Sequence, residues 1–379
     1  MIPYARQSVS PADIEAVVEV LRSDWLTQGP AIGRFEEGVR SRCGGKHAVA
    51  AHNATAALHL ACLALELKPG DLLWTSPNTF VASANCARYC GADVDFVDID
   101  AESFNMSIGA LEDKLAQAAK RGHLPKIVMP VHFGGLPCDM PAIARLAQKY
   151  GFRVIEDASH AIGAELEGGL VGNGRYSDVT VFSFHPVKIL TTGEGGMALT
   201  NDDATAARLR LLRTHGVTRE ASQMRHEADG PWYYEQIALG YNFRMTDIQA
   251  ALGASQLSRL DEFLAQRRHL AQRYREALQG LPIRMQAERT GAKSSWHLFV
   301  INLDPARTRV TRRALYDAMR GRGVAVNVHY IPVHTQPYYR ELGFQTGQFP
   351  AAERYYERCI GISNHLFPDP LGQRRSEKR

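Results

Sequence analysis

The sequence has no long unbroken hydrophobic run. Its richest apolar stretch, Ala54 to Leu67, is interrupted by His59 and Glu66. A bilayer-spanning helix needs about 20 consecutive apolar residues, so none is expected and no membrane partner is implied. The first residues carry no basic segment followed by an apolar core, and no secretory signal is expected. Charge of one sign is also scarce: 44 Lys and Arg stand against 40 Asp and Glu, a formal net charge of +4 over 379 residues. That is no footprint for nucleic acid. The basic residues are dispersed except for Arg374, Arg375, Lys378 and Arg379, which read as a solvated chain end. Cysteine is limited to Cys43, Cys62, Cys86, Cys90, Cys138 and Cys359, with no CxxC pair. The spacing argues against a Cys/His zinc cluster, so no metal is expected. Buried, reduced thiols in a cytoplasmic protein are the expectation instead. Internal repeats and low-complexity linkers are absent.

What is present is ordinary globular composition, 45% hydrophobic and 22% charged. The length exceeds the size at which one core stops growing, so two domains are expected. Short apolar runs at Leu72-Trp74, Asp93-Val97, Lys126-Val131, Arg153-Ile155, Val179-Phe182 and Met197-Thr200 read as strands. Amphipathic stretches around 54–65, 80–89, 108–119, 140–150 and 203–212 read as helices between them. Such alternation predicts an α/β fold with a mostly parallel sheet covered on both faces. A long helical stretch over Thr246–Leu278 leads away from it. Strands at Trp296-Val300 and Ala325-His329, flanking a helix at Arg312–Arg320, predict a smaller α+β domain. The expected division is 1–254, a large domain with an N-terminal arm, and 255–379, the small one.

Ligands of open α/β sheets bind outside the carboxyl ends of the strands, and two segments there carry chemistry. Val181-Phe-Ser-Phe-His-Pro-Val-Lys188 places a lysine just past an apolar run and before the turn Gly193-Glu-Gly-Gly196. The strand Arg153-Val-Ile ends in Glu156-Asp157-Ala-Ser-His160. A lysine and an aspartate so placed are what a pyridoxal phosphate (PLP) enzyme needs. The amine takes the cofactor's aldehyde, and the carboxylate keeps the pyridine nitrogen protonated. Taken singly, the same residues suit a surface lysine in a loop and a helix N-cap.

Five segments together resemble the DegT/StrS-type sugar aminotransferases: Asn53-Ala-Thr-Ala-Ala57, Glu156-Asp-Ala-Ser-His160, Ser183-Phe-His-Pro-Val-Lys188, Gly193-Glu-Gly-Gly196 and Gly240-Tyr-Asn-Phe-Arg-Met-Thr-Asp-Ile-Gln-Ala-Ala251. These are fold-type I PLP enzymes acting on nucleotide-linked keto-sugars, and the resemblance runs from Met1 to about Pro368. Ile2-Pro-Tyr-Ala-Arg-Gln-Ser8, Leu26-Thr-Gln-Gly-Pro30, Gly230-Pro-Trp-Tyr-Tyr-Glu-Gln236 and Val328-His-Tyr-Ile-Pro-Val-His-Thr-Gln-Pro-Tyr-Tyr339 resemble the branch that makes the 4-amino precursor of pseudaminic acid.

The resemblance implies roles. Lys188 would bind PLP and move a proton at the substrate carbon, Asp157 would pair with the pyridinium, and His160 would lie beside the cofactor's phenolic oxygen. Ala54 and Thr55, opening a helix after Asn53, would hold the phosphate with N–H groups and a hydroxyl; Ser183 would add another hydroxyl. Asn242 would reach the phosphate from the partner subunit of a homodimer, and Phe80 would stack on the pyridine. Tyr4, Arg6, Gln7, Thr27 and Gly29 would belong to a substrate-side arm, and His329 and Tyr330 would face the sugar. Arg244 suits two roles, a guanidinium for the nucleotide diphosphate or a partner for a carboxylate such as Asp247 at the subunit interface.

The activity so implied moves an amino group from L-glutamate, leaving 2-oxoglutarate, to C4 of a UDP-linked 4-keto-6-deoxy-N-acetylhexosamine. A 3-amino or perosamine-type product is the alternative, and a PLP-binding regulator is a distant third, since no DNA-binding module is appended. Dehydratase relatives carry histidine at the lysine position, and Lys188 argues against that role. One departure stands out. Relatives continue past Ile360-Ser363 with an amphipathic helix, whereas here Asn364-His-Leu-Phe-Pro-Asp-Pro-Leu carries two helix-breaking prolines. The closing helix is therefore expected to be missing or replaced.

Overall fold

Residues 2–364 are described by the computed structural model of the chain. Seven strands form the central sheet: β1 (His47–Ala51), β2 (Leu72–Thr75), β3 (Asp93–Phe96), β4 (Ile127–Met129), β5 (Arg153–Asp157), β6 (Val179–Ser183) and β7 (Gly196–Thr200). Their spatial order is β1-β7-β6-β5-β4-β2-β3, and only β7 runs against the rest. Successive residues of the strands enter different cores. Val49, Ala51, Val179 and Val181 pack on one side, and Ala48, Ala50, Met197 and Leu199 on another. Burial on both faces explains why the central strands are continuous apolar runs rather than alternating ones.

Helices fill the connections, and their ends are fixed by side chains. Asn53, Ser107, Asp139 and Asp202 each accept a backbone N–H in the first turn of the helix that follows. Gly122 and Gly151 close two of them in the left-handed conformation. A three-stranded antiparallel sheet, Ile283–Met285, Phe299–Leu303 and Cys359–Ile362, forms the second layer with the helix Arg312–Gly321. The N-terminal arm crosses to it: Ile2 N–H donates to Gly323 O at 2.7 Å, and Ala325 N–H to Ile2 O at 2.9 Å. Further backbone bonds join the two layers, from Ala287 N–H to Glu102 O, Ser295 N–H to Gly135 O, Leu298 N–H to Gly134 O and Val333 N–H to Pro77 O.

Several expectations are corrected. The stretch 246–278 is two helices, Asp247–Leu257 and Leu260–Ala277. At the break, Ser258 Oγ donates to Ser255 O at 2.7 Å, a side chain competing with the helical ladder. Segment 325–329 is no strand: only Asn327 bridges to Gly361, and Asn327 Oδ1 takes the Val328 N–H. The strand expected from Trp296 begins at Phe299, because Trp296 is left-handed (φ 51°) in a turn where Ser294 Oγ accepts its N–H. β1 and the helices Pro11–Arg22 and Pro30–Cys43 were not anticipated. All six cysteines are free, and only Cys90 is not buried. No helix among the described residues is long and apolar enough to cross a membrane. The expected loss of the closing helix lies outside the described residues.

Candidate active site

The carboxyl ends of β5 and β6 and the N-terminus of the helix Ala54–Ala64 converge on a cavity of about 480 Å³. Lys188, Asp157, His160, Ala54, Thr55, Ser183, Phe80 and Tyr330 all line it. These residues lie up to 276 positions apart, from Ala54 to Tyr330, and the topology alone brings them together.

Lys188 sits in the tight loop after β6, its N–H donating to His185 O at 2.8 Å. Among the described residues no hydrogen bond or ion pair holds its Nζ. Removal from water pushes the ammonium down to about 8, with Asp157 opposing the shift. Near neutral pH such an amine is about a tenth unprotonated, against well under a thousandth for an ordinary lysine. Uptake of an aldehyde should therefore accelerate with rising pH and level off above about 9. Stopped-flow absorbance of PLP binding by the cofactor-free protein, from pH 6.5 to 10, checks this; a rate still climbing at pH 10 would contradict it.

Asp157 is fixed from two sides. Ser83 Oγ donates to its Oδ2 at 2.6 Å, and Ser159 N–H to its Oδ1 at 3.1 Å. The residue is 5% exposed. His160 receives the Gly134 N–H on Nδ1 at 3.3 Å. Its proton is thereby placed on Nε2, which faces Tyr330 Oη at 3.2 Å. Burial, and then Lys188, hold this imidazole well below its usual range, so it is neutral.

The helix Ala54–Ala64 points its first turn into the cavity. Asn53 Oδ1 occupies the Ala56 N–H at 2.8 Å, while the N–H groups of Ala54 and Thr55 have no intrahelical acceptor. Together with the helix dipole they suit an anion such as a phosphate. Gly196 lets β7 approach this turn: a Cβ there would lie 2.5 Å from Ala54 N and Asn53 O. Gly196→Ala should displace the turn at a cost of about 1–3 kcal/mol, weakening the protein's affinity for PLP roughly 10- to 100-fold. Equilibrium dialysis measures it, and unchanged affinity would refute the role of the close approach.

The remaining expected residues are dispersed. Phe80 is 60% exposed at the cavity, its ring 6.4 Å from that of Tyr330. Tyr4 and His329 line an adjoining cavity of about 110 Å³ that Lys188 also borders, with Tyr4 Oη 3.3 Å from His329 Nδ1. Burial pushes His329 down to about 4, so it too is neutral. Gln7 borders a smaller pocket with Lys188, and Arg6 is exposed away from both. Thr27 bridges to Thr246, and the Gly29 N–H donates to Asp247 Oδ2 at 2.7 Å. Asp247 also takes the Ala31 N–H, so this carboxylate caps the helix Pro30–Cys43. Arg244 is half-buried, and no ion pair joins it to Asp247. Asn242 is exposed and bridges to Thr214, outside the cavity of its own chain. The sequence reading missed Ser83, Ser159, Glu194 and Arg267. Ser159 and Glu194 lie inside the motifs 156–160 and 193–196, which was the signal for them, whereas Ser83 and Arg267 carry none.

The groups present fit PLP: an amine of lowered basicity, a fixed carboxylate, a helix N-terminus and an aromatic face around one cavity. The model of the DegT/DnrJ/EryC1/StrS aminotransferase family matches residues 7–369. The spore coat polysaccharide biosynthesis protein SpsC of Bacillus subtilis is 39% identical over 370 residues, 97% of this chain and 92% of its own. Among solved structures, Helicobacter pylori PseC, an aminotransferase involved in the biosynthesis of pseudaminic acid, superposes with a TM-score of 0.88 at 28% identity, covering 98% of this chain and 96% of that one. The Streptococcus pneumoniae sugar aminotransferase Spr1654 in its PMP form gives 0.87 at 28% identity, over 98% and 97%.

Proposed function

The chain belongs to the DegT/DnrJ/EryC1/StrS aminotransferase family, and from that premise we propose that it transfers an amino group from L-glutamate to C4 of a UDP-linked 4-keto-6-deoxy-N-acetylhexosamine. It is a sugar aminotransferase with the fold of the PLP-dependent members, and PLP is its cofactor. The finer assignment rests on the likeness of its arm and 328–339 segment to the pseudaminic acid branch. The observation that carries the chemistry is the meeting of Lys188, Asp157 and the Ala54–Thr55 turn in one cavity.

When bound, PLP supplies an aldehyde for the amine and a ring that stabilises charge at the carbon losing its proton. The chain's own groups do the rest. Lys188 would hold the cofactor by its aldehyde, and its amine is the group placed to move a proton at the substrate carbon. Its lowered basicity suits both giving and taking that proton. Asp157 keeps the ring nitrogen protonated, with Ser83 and Ser159 fixing its two oxygens. The N–H groups of Ala54 and Thr55 anchor the phosphate, and Phe80 covers a ring face. Neutral His160, hydrogen-bonded to Tyr330, would lie beside the cofactor's phenolic oxygen. We place Asn242 on the phosphate of the partner's site, which makes the active enzyme a homodimer, and Tyr4, His329 and Tyr330 on the sugar side.

The test is an absorbance spectrum of the purified protein with PLP, before and after L-glutamate, followed by a UDP-4-keto-sugar. Conversion to the pyridoxamine form by glutamate, and its reversal by the keto-sugar with an amino-sugar product, is the expected result. A folded protein that binds no PLP would overturn the proposal.

A further inference from the structure

The cavity of about 110 Å³ beside Lys188 contains an unusual group, Arg267. It projects from the helix Leu260–Ala277 and is 5% exposed. Its Nη1 donates to three backbone carbonyls, of Trp296 at 3.4 Å, His297 at 3.3 Å and Asn364 at 2.9 Å. Nε and Nη2 have no hydrogen-bond partner among the described residues, and no carboxylate forms an ion pair with it there. Burial pushes the guanidinium down to about 10, so it stays charged at neutral pH.

A buried, charged guanidinium answered only by neutral carbonyls is costly unless something anionic completes it. The other groups around this cavity do not supply that charge. His297 and His329 are neutral through burial, and burial raises the Tyr4 phenol, keeping it protonated. The planar fork of arginine matches a carboxylate with two parallel N–H···O bonds. The space is several times the ~30 Å³ of a water molecule, and Lys188 and Tyr330 border both it and the larger cavity.

Resting on the aminotransferase reading above, we infer that Arg267 is the subsite for the α-carboxylate of the amino donor. A donor whose amine takes the place of Lys188 Nζ carries its carboxylate one carbon away, within the small cavity. The rest of the donor extends into the larger one, where the keto-sugar later binds. The amino-acid and sugar half-reactions therefore share Lys188 but differ in their need for Arg267.

The experiment compares L-glutamate with 4-aminobutyrate, which is glutamate without its α-carboxylate. PLP-loaded wild type should react with glutamate at least 100-fold faster. Arg267→Met should cut that ratio at least tenfold by slowing glutamate alone, with the KM for keto-sugar unmoved. Arg267→Lys, which keeps a cation, should lie between. Calorimetry supplies a readout without turnover: glutarate should bind wild type at least tenfold more tightly than Arg267→Met. A wild type that treats the two amines alike, or variants that slow both amines equally, overturns the subsite and assigns Arg267 to bracing the carbonyls. Bound PLP that reacts with neither amine overturns the aminotransferase reading instead.

Discussion

Lys188→Ala is expected to lower kcat for amino transfer by about 10⁴-fold or more. Two functions disappear with one side chain, the attachment of the aldehyde and the proton carrier at the reacting carbon. General acid–base catalysis alone contributes about 10²–10⁴-fold, and the nucleophile's share multiplies it. The surroundings offer no substitute. The buried imidazoles beside Lys188, His160 and His329, are held neutral by burial and fixed by tyrosines, and His185 at the cavity rim is exposed. Steady-state kinetics with saturating PLP, glutamate and keto-sugar provide the measurement. Residual activity above about one per cent would mean that another group moves the proton.

Asp157→Asn should produce the second large effect, a fall in kcat of roughly 10²–10⁴-fold. The amide keeps the shape: its carbonyl can accept the Ser159 N–H while its NH2 donates to the Ser83 hydroxyl, but it cannot hold a proton on the ring nitrogen. Losing one partner of a buried charged pair costs about 3–5 kcal/mol, and each 1.36 kcal/mol is tenfold in rate. Because the carboxylate is nine-tenths and more buried, solvent does not screen the loss. The same variant should keep its fold, since no residue of the sheet registers through the carboxylate. A kcat within threefold of wild type would show that Asp157 only caps the Ser159 turn.

Much of this arrangement was legible in the chain because chemistry and folding signals coincide there. Apolar runs ending in Asp157 and Ser183 are strands because they are buried on both faces, and their last residues are the ones left to face a ligand. The Asn53 cap was legible for the same reason, a polar side chain heading an Ala/Leu helix. Other elements carry weaker signals. His47-Ala-Val-Ala-Ala51 is a strand made mostly of alanine, which has little strand preference of its own, and the tertiary slot beside β7 decides it. The two N-terminal helices follow prolines at their first position, a start signal that the reading passed over. Arg267 was invisible for a different reason. An arginine in Ala-Gln-Arg-Arg-His-Leu reads as the solvent side of an amphipathic helix, and only the packing of the antiparallel sheet against that helix encloses it.

The backbone bonds that join the two layers have a mechanical consequence. They enter from widely spaced parts of the chain, at Ile2, Ala287, Ser295, Leu298 and Val333, and they end on Gly323, Glu102, Gly135, Gly134 and Pro77. A body fastened at so many separated points has no free axis to swing about. The sugar nucleotide of the proposed reaction would then arrive through a standing aperture, its capture governed by diffusion and orientation rather than by the opening of a door.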